Sequence, residues 1–260
     1  MLADVRRART RLGRERLGRF GIEGTRLHER ALRAGLFVES ALAGASYAAA
    51  EDPRVVRLLG ELERRSCAVH VVPDELLTEL TEGRDLGAIV GLVRAPAPVR
   101  LASLAAAAAA RPVTVLAAVD VEEPGNVGAM VRTALAGGAA AFAAAGISDV
   151  FHPKALRTSM GAPFRIPVLS YPDGATLLDE LRREEYQIVA AASRVGRAPR
   201  GAPFDRQRVA LLIGREAFGL PAPIHESADL VVSIPMTGEV DSFSVNAAAA
   251  ILLYEISVSR

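Results

Sequence analysis

The sequence has one cysteine and one lysine, and each scarcity removes a class of chemistry. Cys67 alone rules out an internal disulfide and any site built from several thiolates. His28, His70, His152 and His225 lie too far apart in sequence to form a local ligand pair, so no metal is expected. Lys154 follows Pro153, which leaves no Gly-Lys-Ser/Thr phosphate loop and no choice of lysines for Schiff-base chemistry. None of the 22 glycines stands two residues from another, which removes the Gly-x-Gly dinucleotide fingerprint. Long apolar runs are missing too: the longest without a charge, Thr133 to Ile147, covers 15 residues and is broken by Gly137, Gly138 and Gly146. A membrane span needs about 20 apolar residues, so no membrane partner is expected. The N-terminus has charges but no apolar segment with a small-residue cleavage site, so it does not read as a secretory signal. The expectation is a folded cytoplasmic protein. At 260 residues and 50% hydrophobic it can form one large domain or two small ones.

A net charge of +1 conceals an asymmetry, because residues 1–33 hold ten arginines against four acids. Such an arm suits phosphate contacts, whose attraction to arginine is largely independent of base sequence; a solvated helix face is the plainer reading. Arg7, Arg9, Arg11, Arg19 and Arg26, with Arg157 further on, are the candidate RNA contacts. Beyond the arm, a short strand is expected at Arg19–Gly24, with helices at 25–34, 53–65 and 73–80 and strands at 36–41 and 68–72. Alternation of this kind describes a small α/β module over residues 1–93. Residues 94–112 carry linker punctuation, although the run Ala105–Ala110 also suits a short helix. From Val113 the pattern restarts with an apolar run suited to a buried parallel strand, and residues 113–260 read as a second α/β domain. Further strands are expected near 139–144, 187–191, 209–213 and 230–233, with a closing helix from about 243 to 256.

Three segments of the second domain carry the chemistry. In a helix expected over 126–135, Val127, Met130, Val131 and Ala134 form a core-facing stripe, and Arg132 points away from it. Asn126, at the expected helix start, either caps the backbone or holds a ligand. Leu211–Pro221 is a strand that runs into a turn bearing Arg215 and Glu216 between Gly214 and Gly219, glycines that let backbone approach a ligand closely. Strand ends of this kind are where α/β sheets bind ligands. The loop from Ile234 through Met236 to Asn246 is rich in small hydrogen-bonding side chains; Ser242, Ser244 and Asn246 together exceed what one helix cap requires.

In this order, Glu123–Ala134, Leu212–Gly219 and Ile234–Glu255 resemble the three signature motifs of the SPOUT superfamily, in its TrmH (SpoU) family of RNA ribose 2′-O-methyltransferases. His152–Ala162 is similar to the segment between the family's first two motifs, and Phe20–Gly24 resembles part of the ribosomal-protein-like domain that often precedes the catalytic one. The resemblance implies an α/β domain tied in a deep trefoil knot, S-adenosylmethionine as cofactor, and a homodimer whose active site joins two protomers. The cofactor contacts it implies are Gly214, Arg215, Glu216, Gly219, Ile234, Met236, Ser242, Ser244, Val245 and Asn246. Its motif-one arginine, here Arg132, stands beside the target ribose. A guanidinium is a poor base, so Arg132 orients the phosphate or stabilises the developing alkoxide, with the proton acceptor left open. The resemblance further implies that Asn126 and Glu216 position that arginine and the substrate and that Ser242 completes the pocket.

The chain departs from the family in reading Ser242-Phe-Ser-Val-Asn246, where Ser-Leu-Asn-Val-Ser is usual, and in carrying Arg215 and Ala217 in its second motif. The leading expectation is a ribosomal RNA methyltransferase. A tRNA methyltransferase, an antibiotic-resistance methylase and a non-catalytic knotted RNA-binding protein are the alternatives.

Overall fold

The computed structural model describes residues 1–84, 88–107, 112–204 and 207–259, which form two compact units. The first takes in Met1–Ala97 and, from later in the chain, Phe151–Phe164; the second takes in Pro98–Val150 and the chain from Arg165 onward.

The first unit is built on β1 (Arg19–Glu23), β2 (Val38–Gly44), β3 (Ala68–Val72) and β4 (Ile89–Arg94), in the order β1-β4-β2-β3. β4 is antiparallel to both neighbours, while β2 and β3 are parallel. A parallel pair needs a crossover, and the helix Pro53–Arg64 lies within it, capped by Asp52 and started by Pro53. Its Leu58 and Leu62 join Phe20, Ile22, Leu27 and Ile89 in the core. The basic arm is helical, as Leu2–Arg7 and Arg11–Leu17, with Val5 and Ala8 buried in a cluster with Leu42, Leu77 and Leu92.

Two parts of the chain depart from the expected domain boundaries of 1–93, 94–112 and 113–260. Leu101–Ala107, within the expected linker, is a helix that buries Leu101 and Ala105 in the core of the second unit; Ala108–Arg111 lie outside the described residues. Phe151–Phe164 belongs to the first unit. There Leu156 is fully buried, Phe20 lies 4.9 Å from Phe151 and 5.8 Å from Phe164 between ring centroids, and Arg30 donates to the Met160 carbonyl. Arg157 pairs at 2.6 Å with the buried Glu23, which Arg84 also approaches. A buried carboxylate requires such a partner. An apolar stretch carries no sign in its own sequence of which core it will join, and this one completes the core around Phe20.

His28 is completely buried; its Nδ1–H donates to the Gly24 carbonyl at 2.8 Å, and its Nε2 meets no partner. A Cβ at Gly91 would come within 2.5 Å of that nitrogen, so the glycine makes room for the ring. Burial pushes the imidazole down to about 4 from its ordinary value of 6.5. A base whose folded value is depressed contributes its full stability above the unfolded value, and that stability is lost as pH falls from 6.5 toward 4. Denaturant midpoints are therefore expected to fall between pH 7 and pH 4.5 by the equivalent of about 2 kcal/mol. His28→Asn, which keeps a donor for Gly24, should flatten that decline; an equally steep fall in the variant would assign it to other groups.

The second unit is a six-stranded sheet of β5 (Val113–Val119), β6 (Ala141–Ala145), β7 (Val168–Tyr171), β8 (Gln187–Ala192), β9 (Arg208–Ile213) and β10 (Leu230–Ser233). Their order is β10-β8-β9-β5-β6-β7, and every pairing is parallel. Both faces are covered, which is why β5 reads as an unbroken apolar run. Val115, Ala117 and Val119 share a core with Leu177 and Leu181 of the helix Gly174–Arg183. Elsewhere on the sheet, the helices Pro124–Ala136 and Val245–Val258 pack on each other, the first also on β5 and β6 and the second on β9. The chain runs outward from β5 to β7, returns on the other side as β8, and inserts β9 between β8 and β5. All carboxyl ends share one edge, and the crevice where the strand order reverses is the natural ligand site of such a sheet.

Candidate active site

A cleft of about 630 Å³ opens at that edge, walled by segments that follow β8, β9 and β10 and by the start of the C-terminal helix. Its floor is set by Gly214. A Cβ there would lie 2.2 Å from the carbonyl of Gly219, so only glycine permits the loop to fold back on itself. Arg215 and Gly219 close the loop with reciprocal backbone hydrogen bonds of 3.0 and 2.8 Å, and Gly219 takes a left-handed φ of +68°.

Two side-chain bonds join the three motif segments. Asn126 donates through Nδ2 to Glu216 Oε1 at 2.7 Å, and Thr133 donates through its hydroxyl to Asn246 Oδ1 at 2.6 Å. Asn126 is free for this because it is not the helix cap. The helix starts at Pro124, two residues before the expected start, and Glu123 caps it by accepting from the Gly125 N–H at 2.9 Å. At the C-terminal helix the cap is Ser244, whose hydroxyl accepts from the Ala247 N–H at 3.3 Å.

Of the expected cofactor contacts, Gly214, Arg215, Glu216, Gly219, Ile234, Met236, Ser242 and Val245 line the cleft. Ser244 and Asn246 do not form part of its wall; their polar groups serve the helix cap and the tie to Thr133. The exchange of Ser and Asn at these two positions therefore falls on groups that hold helices, outside the cleft itself. Arg132 is exposed, on the side of its helix away from the buried Val127, Met130 and Val131, and has no hydrogen-bond or ion-pair partner among the described residues. It does not line the cleft of its own chain.

Sequence reasoning missed three contributors. Glu122 forms an ion pair with Arg215, Thr133 holds Asn246, and Phe218 lies under the Arg215 guanidinium at 5.1 Å from its ring centroid. Adjacent acids before a proline, a threonine in a helix and a lone aromatic in a turn carry no signal until their partners are known.

Most of the expected RNA contacts are engaged within the first unit. Arg9 pairs with Glu82 and donates to the Leu80 carbonyl, Arg11 pairs with Glu15 at 3.2 Å, and Arg7 lies 3.5 Å from Asp4. Arg19 grips Glu39 through two hydrogen bonds, and this contact holds the Glu39 carboxyl below the usual range. Arg157 is held by Glu23. Arg26 alone of the six is exposed with no partner among the described residues. Glu39, Glu79 and Glu82, which lie beyond the arm in sequence, thus offset half of its excess of six positive charges. Cys67 is buried, and burial pushes its thiol up to about 11, away from the thiolate a nucleophile requires. Among the described residues no three His, Cys, Asp or Glu side chains are grouped to hold a metal ion, and no helix is long and apolar enough to cross a membrane.

Comparison with known proteins finds the model of the SpoU rRNA methylase family matching residues 113–254. The chain is 30% identical over 258 residues to a 23S rRNA guanosine 2′-O-methyltransferase, RlmP, of Bacillus subtilis, covering 97% of this chain and 94% of the relative. It is 36% identical over 140 residues to a 23S rRNA uridine 2′-O-methyltransferase of Streptomyces viridochromogenes, where the match spans 51% of this chain and about half, 48%, of the relative. Among solved structures, the AdoMet-bound rRNA methyltransferase of Sinorhizobium meliloti is similar with a TM-score of 0.84 at 25% identity, covering 99% of this chain and 94% of that one.

Proposed function

Because this chain belongs to the SpoU rRNA methylase family, we propose that it is an S-adenosylmethionine-dependent methyltransferase acting on a ribose 2′-hydroxyl of ribosomal RNA. The relative that matches along nearly the whole chain, N-terminal unit included, is named for 23S rRNA, which favours that substrate over tRNA. The observation that carries the reading is the Asn126–Glu216 bond, which joins the first and second motif segments beside a cleft whose wall the third completes.

The residues suit the cofactor. The cleft combines apolar Ile213, Val245 and Leu252 with the exposed backbone of a glycine-bounded loop, and the buried Arg215 Nε has no partner there among the described residues. An adenosine with an amino-acid tail needs such a mixture of apolar wall and a few directed polar groups. Gly214–Gly219, Ile234–Met236 and Ser242–Val245 would hold it. When bound, S-adenosylmethionine supplies a methyl group made electrophilic by its sulfonium. Glu216 fixes the Asn126 amide beside the cleft. Arg132 carries an unneutralised cation that stabilises the phosphate and the oxygen anion developing on the ribose.

Arg132 does not line the cleft of its own chain, so the reading includes a homodimer in which each protomer's arginine serves its partner's site. The C-terminal helix supports this: Ala250, Tyr254 and Val258 are exposed along one side, and Glu255 is its single charged residue. A trefoil knot completes the reading. The chain leaves β10 at the sheet edge and returns to a helix packed on β9 and on Pro124–Ala136. Residues 1–97 with 151–164 form the RNA-recognition unit and the remainder the catalytic one, in the cytoplasm where ribosomes are made.

The test is transfer of labelled methyl from S-adenosylmethionine to unmodified ribosomal RNA and, separately, to tRNA, with mapping of ribose methylation. Label in ribosomal RNA at a 2′-oxygen is expected. Label confined to tRNA would move the substrate, and cofactor binding with no transfer to either RNA or to ribosomal particles would make this a binding protein.

A further inference from the structure

Phe218 is 78% exposed, the largest exposure among the big apolar side chains of the described residues. It is nonetheless mounted on a rigid support. The loop that carries it is closed by the two Arg215–Gly219 backbone bonds, and one face of its ring is covered by the Arg215 guanidinium, which Glu122, just before the first motif segment, holds. A second concavity of about 680 Å³ adjoins the cofactor cleft and shares Arg215 and Phe218 with it, with Val195 and Pro221 also in its wall.

We propose that Phe218, backed by Arg215, is the stacking platform for the base of the target nucleotide, held out of its helix while the neighbouring ribose is methylated. The proposal rests on the methyltransferase reading of the cleft. The 2′-hydroxyls of a paired helix face its shallow minor groove, and a donor recessed in a cleft is reached more readily by a nucleotide whose base has left the stack; an extruded base needs a replacement face. Aromatic rings and arginine planes are what proteins offer unstacked bases. Phe218 stands two residues from Glu216, whose carboxylate holds Asn126, so the platform and the reacting groups lie on one short loop. Arg194, which pairs with Asp241, also lines both concavities. The substrate class that follows is a nucleotide in an unpaired loop or bulge of RNA.

The experiment uses the full-length protein, labelled S-adenosylmethionine and an unmodified ribosomal RNA transcript containing the mapped site. Phe218→Ala is expected to raise KM for RNA about tenfold, the size of one lost stacking contact. The value of kcat at saturating RNA and saturating S-adenosylmethionine should fall less than threefold. Phe218→Trp should restore KM to within threefold of the parent. Stacking releases no counterions, so the ratio of the two KM values should hold between about 50 and 200 mM salt. An unchanged KM in an active Phe218→Ala protein overturns the proposal, and so does a change of its solution mass by light scattering, which would make Phe218 a subunit-interface residue. A parent protein that transfers no methyl group to any RNA overturns the methyltransferase reading as well.

Discussion

Arg132→Ala is expected to lower methyl transfer to ribosomal RNA by about three orders of magnitude, the loss typical of removing one preorganised group that faces developing charge. Cofactor affinity, measured by calorimetry, should stay within twofold, because Arg132 is exposed, makes no hydrogen bond among the described residues and does not line the cleft. No packing or ion pair is lost with it, so thermal stability should hardly move. Arg132→Lys should recover only part of the rate, since an ammonium is a point charge without the planar fork that grips a phosphate or alkoxide from two directions. A variant with more than a tenth of the parental rate would remove Arg132 from the reaction. The dimeric reading adds a sharper test. Mixing Arg132→Ala with a cleft-defective Gly214→Ala protein should restore activity in the fraction of mixed dimers that pair one intact arginine with one intact cleft. No recovery in verified mixed dimers would place arginine and cleft in the same protomer.

Gly214→Ala itself should abolish measurable cofactor binding, a fall of at least about thirtyfold, since an inserted methyl in a closed site commonly costs more than 2 kcal/mol. The added Cβ would lie 2.2 Å from the Gly219 carbonyl and 2.3 Å from the Leu220 nitrogen, and both are backbone atoms that cannot rotate away. Relief requires opening the Arg215–Gly219 bonds, which moves Glu216 off Asn126 and Phe218 out of its place. Gly219→Ala is the control. Its positive φ strains an alanine by about 1–2 kcal/mol, yet nothing lies within 4 Å of the new methyl. Binding weakened more by Gly219→Ala than by Gly214→Ala would show that backbone strain, and not the steric contact, governs the loop.

Much of the architecture is legible in the residues. The apolar run Val113–Val119, the stripe at Val127, Met130, Val131 and Ala134, and the helix beginning at Pro53 all state their burial through spacing alone. β4 is not legible in that way. Its Ile89-Val-Gly-Leu-Val run contains Gly91, which weakens a strand signal, and the glycine is there because the His28 ring from a distant helix occupies the space. The helices Leu2–Arg7 and Arg11–Leu17 hide behind their arginines for a similar reason: their burial is confined to a few side chains, Val5, Ala8, Arg14 and the partly exposed Leu2 and Leu17, and one of these is itself an arginine.

By itself the sequence determined two α/β units, the order of the three motif segments and the identity of the groups they carry, because periodicity and turn chemistry act between residues near in the chain. Only the tertiary structure decided which groups meet. Asn126 and Glu216 are 90 residues apart and Thr133 and Asn246 are 113 apart, and they touch because parallel strands deliver their carboxyl ends to one edge. The same holds for charge. Ten arginines in the first 33 residues read as a basic arm until folding sets Arg6 against Glu79, Arg9 against Glu82 and Arg19 against Glu39. Coulomb interactions depend on distance in space, which a linear sequence does not contain.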